Sequence, residues 1–175
     1  MLIIIIGPTG SGKTTQAEFI AKVLKLKHIQ TGKYFRKLAK KNKFFRKFIA
    51  QGKLIPDKPT LKIVNKLVKN KNNLILDGFP RNLPQAKAFK EKIDLVLYLK
   101  TSKKELIKRL KLRKRNDDTI KNIKKRYDIY LKKTIPVINF YKKKGILKII
   151  NGDPPQKEVS KEIRGFLIQD FPKSE

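Results

Sequence analysis

The chain has 175 residues, no cysteine and a single histidine, His28. That excludes a disulfide framework, a zinc knuckle, a thiol nucleophile and a multi-histidine metal site. Lys and Arg number 45 against 14 Asp and Glu, a formal net charge of +31, so nucleotides, nucleic acid or an anionic membrane are candidate partners.

The charge is less specific than its size suggests. Of the basic residues 37 are Lys, spread along the whole chain, whereas a built phosphate site favours the bidentate guanidinium of Arg. Weak, sequence-blind nucleic-acid binding is therefore expected, not a specific one. The apolar run Leu2–Ile6 is far below the roughly 20 residues that span a bilayer. It has no basic leader before it, so neither a membrane span nor a signal peptide is expected, and the default location is the cytoplasm.

In chain order, residues 2–6 read as a buried strand closed by Gly7, and 13–25 as a helix with Ala17, Ile20, Ala21 and Leu24 on one face. Residues 28–30 read as a short strand and 31–51 as helix in two pieces. Pro56 and Pro59 break the chain before a helix over 61–68. A strand at 73–76 ends in Asp77-Gly78, and 84–92 is helical. A strand at 95–99 precedes helices over 102–114 and 117–144, the second bent near Pro136. A strand at 146–150 and a helix at 156–167 finish the pattern, and residues 170–175 are expected to fray. Short apolar strands alternating with amphipathic helices predict an α/β fold, a parallel sheet covered on both faces. In such sheets ligands bind beyond the carboxyl ends of the strands.

The first strand leads into Gly7-Pro8-Thr9-Gly10-Ser11-Gly12-Lys13-Thr14, which fits the phosphate-loop pattern G-x-x-x-x-G-K-[ST] between a strand and a helix. Glycines let backbone N–H groups cradle phosphate oxygens, and the helix N-terminus adds positive potential. Lys13 then reaches the β- and γ-phosphates and the Thr14 hydroxyl meets Mg²⁺.

Further motifs follow the other strands: Thr31-Gly32-Lys33-Tyr34-Phe35-Arg36, Gly52-Lys53-Leu54-Ile55-Pro56-Asp57, and Asp77-Gly78-Phe79-Pro80-Arg81 with Leu83-Pro84-Gln85 after it. Arg109 and Arg113 lie four apart on one helix face, Arg115 precedes Asp117-Asp118, and Arg126 lies beyond. Together these resemble the adenylate kinase family of nucleoside monophosphate kinases, from Leu2 to about Gly152.

The resemblance implies a three-layer α/β/α P-loop fold around a five-stranded parallel sheet. It implies a core of 1–30, 60–108 and 117–170, an acceptor-binding region of 31–59 and a short lid of 109–116. It implies phosphoryl transfer from Mg-ATP to AMP by a monomer, with Mg²⁺ as the only cofactor and no general base beyond a positioned carboxylate or solvent. Lys13, Arg81, Arg109, Arg115 and Arg126 would serve catalysis. Gly10, Ser11, Gly12, Lys13, Thr14, Thr15, Arg109 and Arg113 would hold ATP. Thr31, Gly32, Arg36, Ile55, Gly78, Arg81 and Gln85 would hold AMP, with Gln85 offering a donor and an acceptor to the base. Thr14 and Asp77 would hold Mg²⁺, partly through water.

Simpler roles compete for some of these. Asp77 could be a turn residue and Gln85 a surface one. Asp117 and Asp118 either open a helix or pair with the arginines. His28 reads as structural, and Phe44, Phe45 and Phe48 as packing. Three departures from the family stand out: Thr14 and Lys33 replace the usual Gly and Asp, and only 110–116 separate Arg109 from Asp117, a very short lid without zinc-binding cysteines. A UMP/CMP kinase is the near alternative. A basic P-loop nucleic-acid-binding protein or an ATPase is the alternative of another class.

Overall fold

A computed structural model describes residues 1–113 and 119–170. Among these, five parallel strands form one sheet in the order β2-β3-β1-β4-β5: β1 (Leu2–Ile6), β2 (Lys27–Gln30), β3 (Leu74–Asp77), β4 (Leu95–Lys100) and β5 (Leu147–Asn151). β1 is central, pairing Ile5 with Asp77 of β3 and with Leu97 of β4. The strand order reverses there, on the strand whose carboxyl end opens into the glycine-rich loop, which is where α/β sheets bind ligands.

Both faces of the sheet are covered, as a near-continuous apolar sequence requires. Leu2, Ile4 and Ile6 point to one face, where they pack with Val64, Phe89, Val137 and Tyr141. These come from α4 (Asp57–Val68), the end of α5 (Leu83–Ala88) and α8 (Ile135–Lys143). Ile3 and Ile5 point to the other face, against Ala17 and Ile20 of α1 (Lys13–Val23) and Val159, Ile163 and Leu167 of α9 (Gln156–Asp170). Ile3, Ile4 and Ile5 are fully buried, each contributing about 1.5–3 kcal/mol. The remaining helices are α2 (Thr31–Lys41), α3 (Lys43–Ala50), α6 (Lys103–Arg113) and α7 (Ile120–Ile129). The three-layer α/β/α architecture is thus the one the sequence implied.

Most boundaries shift by one to three residues, α9 for instance running on to Asp170; three elements depart further, each for a local reason. Helix α4 begins at Asp57, four residues early. Pro59 sits in its first turn, where the missing N–H would have had no partner anyway. Helix α5 stops at Ala88 because Phe89 turns extended, placing its buried ring edge-to-face on Phe79 at 5.1 Å. The long helix over 117–144 is described from Ile120 and is broken by a π turn, Tyr130–Thr134, before Pro136 enters α8. Pro136 cannot donate to the carbonyl four residues back, and a π turn absorbs that fault. Tyr130 of this turn shares a hydroxyl–hydroxyl hydrogen bond with Tyr98 of β4, which ties the turn to the sheet.

Candidate functional site

One large cleft, of about 480 Å³, opens at the carboxyl end of the sheet. Its floor is the loop after β1. Gly10 and Gly12 take φ of +94° and +89°, values that L side chains avoid. At Gly10 a Cβ would also stand 2.9 Å from Leu110 Cγ, so the loop lies hard against α6. That contact carries Arg109 to the loop; its guanidinium is the nearest group to where a Gly12 Cβ would sit.

Lys13 donates to Pro8 O and to Ser11 Oγ (3.3 Å). The ammonium is therefore parked over the loop whose N–H groups would cradle phosphate. Ser11 is buried and supports Lys13 from behind, while Gly10, Gly12, Lys13, Thr14 and Thr15 line the cleft.

Thr14 is the junction between loop and sheet. Its hydroxyl donates to Asp77 Oδ2 at 2.6 Å and accepts from Gln30 Nε2 at 2.8 Å. Asp77, at the end of β3, is only 4% exposed. Burial pushes its carboxyl up, but His28, Lys13 and the Thr14 hydroxyl outweigh that and hold it below the ordinary carboxylate range. It is an anion at neutral pH. His28 Nε2 lies 3.8 Å from Asp77 Oδ2, too far for a hydrogen bond. His28 thus sits beside the carboxylate without bonding to it. Gln30 was missed by sequence reasoning; its place directly before Thr31 at a strand end was the available signal.

A resident metal ion would find hard oxygen donors here. No group of three or more metal-ligating His, Cys, Asp or Glu side chains exists among the described residues, so a dedicated protein cage is absent there. The Thr14 hydroxyl and the Asp77 carboxylate beside a phosphate loop suit Mg²⁺, which takes one or two protein oxygens plus phosphate and water.

Across the cleft the residues after β3 build a second half. Gly78 takes φ +87°, and a Cβ there would fall 3.0 Å from Thr31 Oγ1 and 3.1 Å from Arg81 Nη2. The Thr31 hydroxyl donates to Asp77 O at 2.8 Å. Arg81 Nε donates to Gly78 O at 2.8 Å, and Arg81 O accepts from Thr134 Oγ1 at 2.8 Å. Burial pulls the Arg81 pKa down; nearby Arg126 and Arg36 pull the same way, and Asp77 opposes them. Like charges held this close in a partly buried site are an anion receptor, because a bound phosphate relieves their repulsion.

Asn82 caps α5, accepting from the Gln85 N–H at 2.9 Å, a contact worth about 1 kcal/mol. This cap brings Gln85, 2% exposed, to the cleft wall. The Gln85 side chain is already engaged: Oε1 accepts from the Arg81 N–H at 2.9 Å, and Nε2 donates to Asp57 Oδ1 at 2.7 Å. Asn82 and Thr134 went unnoticed in the sequence, and Asp57 was noted only as the end of the Gly52-to-Asp57 motif, with no role attached.

Gly32, Arg36 and Ile55 line the cleft, as do Arg109, Arg113 and Arg126. Arg109 is anchored by Glu105 Oε1 at 2.8 Å and by the carbonyls of Gly152 (2.8 Å), Asp153 (2.9 Å) and Pro154 (3.1 Å). Arg115, Asp117 and Asp118 lie outside the described residues, as do Lys114 and Asn116 of the lid. Lys33 is exposed and is not among the cleft residues. The rings of Phe44, Phe45 and Phe48 stack behind Phe35, which itself lines the cleft.

Comparison with known proteins gives a single direction. Residues 5–146 match the family model described as adenylate kinase. The chain is 38% identical over 174 residues to an adenylate kinase of Prochlorococcus marinus (strain MIT 9301), covering 93% of this chain and 96% of that one. It is 38% identical to an adenylate kinase of Buchnera aphidicola subsp. Cinara cedri, covering 86% and 88%. It is 35% identical over 214 residues to one of Rickettsia africae, covering 95% and 99%.

Proposed function

The chain belongs to the adenylate kinase family and is a nucleoside monophosphate kinase, and from that premise we propose that it transfers the terminal phosphoryl group of Mg-ATP to AMP, giving two ADP. The observation that carries this is the two-sided cleft. A phosphate loop with Lys13 forms one wall, and Arg81 with Arg36 and Arg126 beside it forms the other.

In the reaction an oxygen of the AMP phosphate forms a bond to the γ-phosphorus of ATP while the bond from that phosphorus to the β–γ bridging oxygen breaks. Little covalent chemistry is asked of the protein; positioning and charge neutralisation carry the rate. On the ATP side, the backbone N–H groups of Gly10 to Thr15 hold the phosphates, and Lys13 leaves Pro8 O and Ser11 Oγ for them. Arg109 and Arg113 flank the same phosphates. On the acceptor side, Arg36 and Arg81 hold the AMP phosphate, and Thr31, Gly32, Ile55, Gly78 and Gln85 enclose its nucleoside. Arg126, beside Arg81, faces the transferring group, and Arg115 joins it on this reading.

Mg²⁺, bound through Thr14 and Asp77 partly by water, would neutralise charge on the β- and γ-oxygens. Thr14 holds the Asp77 carboxylate against the loop by its 2.6 Å hydrogen bond. The same reading takes 31–59 as the acceptor-binding region and 109–116 as the lid. It takes the protein as a monomer of the cytoplasm.

The test is a coupled assay with Mg-ATP and each of AMP, CMP, UMP and GMP. AMP should be the best acceptor. A preference for UMP or CMP would replace this reading with the pyrimidine-nucleotide one, and no turnover with any monophosphate would refute it.

A further inference from the structure

We propose that Asp57 is a specificity-determining positioning residue: it fixes which way round the Gln85 amide faces, and thereby selects a 6-aminopurine over a 6-oxopurine acceptor. The inference rests on the reading that Gln85 meets the acceptor base.

An amide side chain has a donor end and an acceptor end, and a half-turn exchanges them. Here both neighbours forbid the exchange. Asp57 Oδ1 accepts from Gln85 Nε2 at 2.7 Å, and an ionised carboxylate can only accept. The Arg81 backbone N–H meets Gln85 Oε1 at 2.9 Å, and an N–H can only donate. Turned over, the amide would set oxygen against carboxylate and N–H against N–H in a site 2% exposed, where such misplaced polar groups are costly. Asn82 doubles the constraint. Its Nδ2 donates to the same Asp57 Oδ1 at 2.7 Å, while its Oδ1 caps the Gln85 N–H at 2.9 Å.

After these bonds the Gln85 amide keeps one N–H and one oxygen lone pair for the cleft, in a set order. A 6-aminopurine offers a matching acceptor and donor, its ring nitrogen and its exocyclic amine. A 6-oxopurine puts a carbonyl where the amine was, so Gln85 Oε1 would face oxygen. Asp57 itself is not among the cleft-lining residues. It opens α4, on a different element from Gln85, and acts through the amide.

The experiment measures kcat/KM for AMP and for IMP, which differ at the 6-substituent and the adjacent ring proton, in wild type and Asp57→Asn, Asp57→Ala and Gln85→Ala. Asn can donate as well as accept, so Asp57→Asn lifts the Asp57 constraint while nearly preserving shape and leaves the Arg81 N–H as the one group still opposing the flip. Wild type should favour AMP by roughly tenfold or more, as one good bidentate pair allows. Asp57→Asn and Asp57→Ala should cut that ratio severalfold, chiefly in the acceptor KM, with the KM for ATP unchanged. In a Gln85→Ala background, Asp57→Asn should leave the ratio where it is.

A merely structural Asp57 would slow AMP and IMP alike and keep their ratio. That result, with wild type still preferring AMP, overturns this inference and leaves the acceptor reading standing. A wild type indifferent to AMP and IMP overturns both. Asp57→Asn carries the test alone if Asp57→Ala does not fold.

Discussion

The two walls of the cleft are built differently. The phosphate-loop wall is one continuous segment, Gly7 to Thr15, whose working groups are mostly backbone N–H donors shaped by left-handed glycines. The opposite wall is a mesh of side chains from β3, α2, α4, α5 and the π turn, with Arg81 at its centre. Arg81 is held through its guanidinium by Gly78, through its N–H by Gln85 and through its carbonyl by Thr134. The difference teaches that, on the proposed reading, one half would bind a polyphosphate by local conformation, as phosphate loops do. The other half would bind a particular monophosphate by tertiary convergence, and selectivity would reside there.

Changes on the two walls should therefore fail in different ways. The largest effect is expected from Lys13→Ala. Removing a preorganised charge at the transferring group should lower kcat about 10²–10³-fold, by a similar factor with every acceptor. A deficit confined to one acceptor would show that Lys13 belongs to the other wall. Gly78→Ala should come next. Its φ of +87° and the 3.0 Å approach to Thr31 Oγ1 imply a loss of at least about 1–2 kcal/mol in stability, read by thermal melting. It should also raise the KM for AMP while sparing that for ATP.

Thr134→Val should have a smaller and more selective effect. It deletes the donor to Arg81 O, at a cost of about 1 kcal/mol. A severalfold rise in acceptor KM that Thr134→Ser reverses would place the π turn in the acceptor wall. An unchanged KM would remove it from that wall.

The smallest expected effect is on pH. The Asp77 carboxyl is held below its ordinary value in the folded chain, so it stabilises the fold above the unfolded pKa. That stability is lost as pH falls below about 4. Denaturation of Mg²⁺-free protein between pH 6 and 3 should show Asp77→Asn losing less stability on acidification than wild type. Equal slopes would mean that the Thr14 and His28 neighbours do not favour the anion.

Legibility in the sequence followed the same division. Gly10, Gly12, Lys13 and Thr14 could be assigned because the motif is contiguous and flanked by the strand and helix its mechanism needs. Arg36, Arg81, Arg109, Arg113 and Arg126 stood out as arginines in a lysine-rich chain, and all five line the cleft. Asn82, Gln30 and Thr134 carried no such mark, and Asp57 carried one only as the last residue of the Gly52-to-Asp57 motif, with no role attached. Each is an ordinary polar residue whose partner lies 16 to 53 positions away, and no local pattern encodes that pairing. The early start of α4 and the π turn were hidden for a related reason: a proline reads as a breaker until its place in the helical turn is known.

By itself the sequence determined the α/β class, the phosphate loop and the family, because these rest on periodicity and short motifs. Only the tertiary structure decided how the acceptor wall is tied together. The Thr14–Asp77 bond and the orientation of the Gln85 amide depend on side chains from separate strands and helices meeting at hydrogen-bond distance, and that meeting is set by how the elements pack on the sheet.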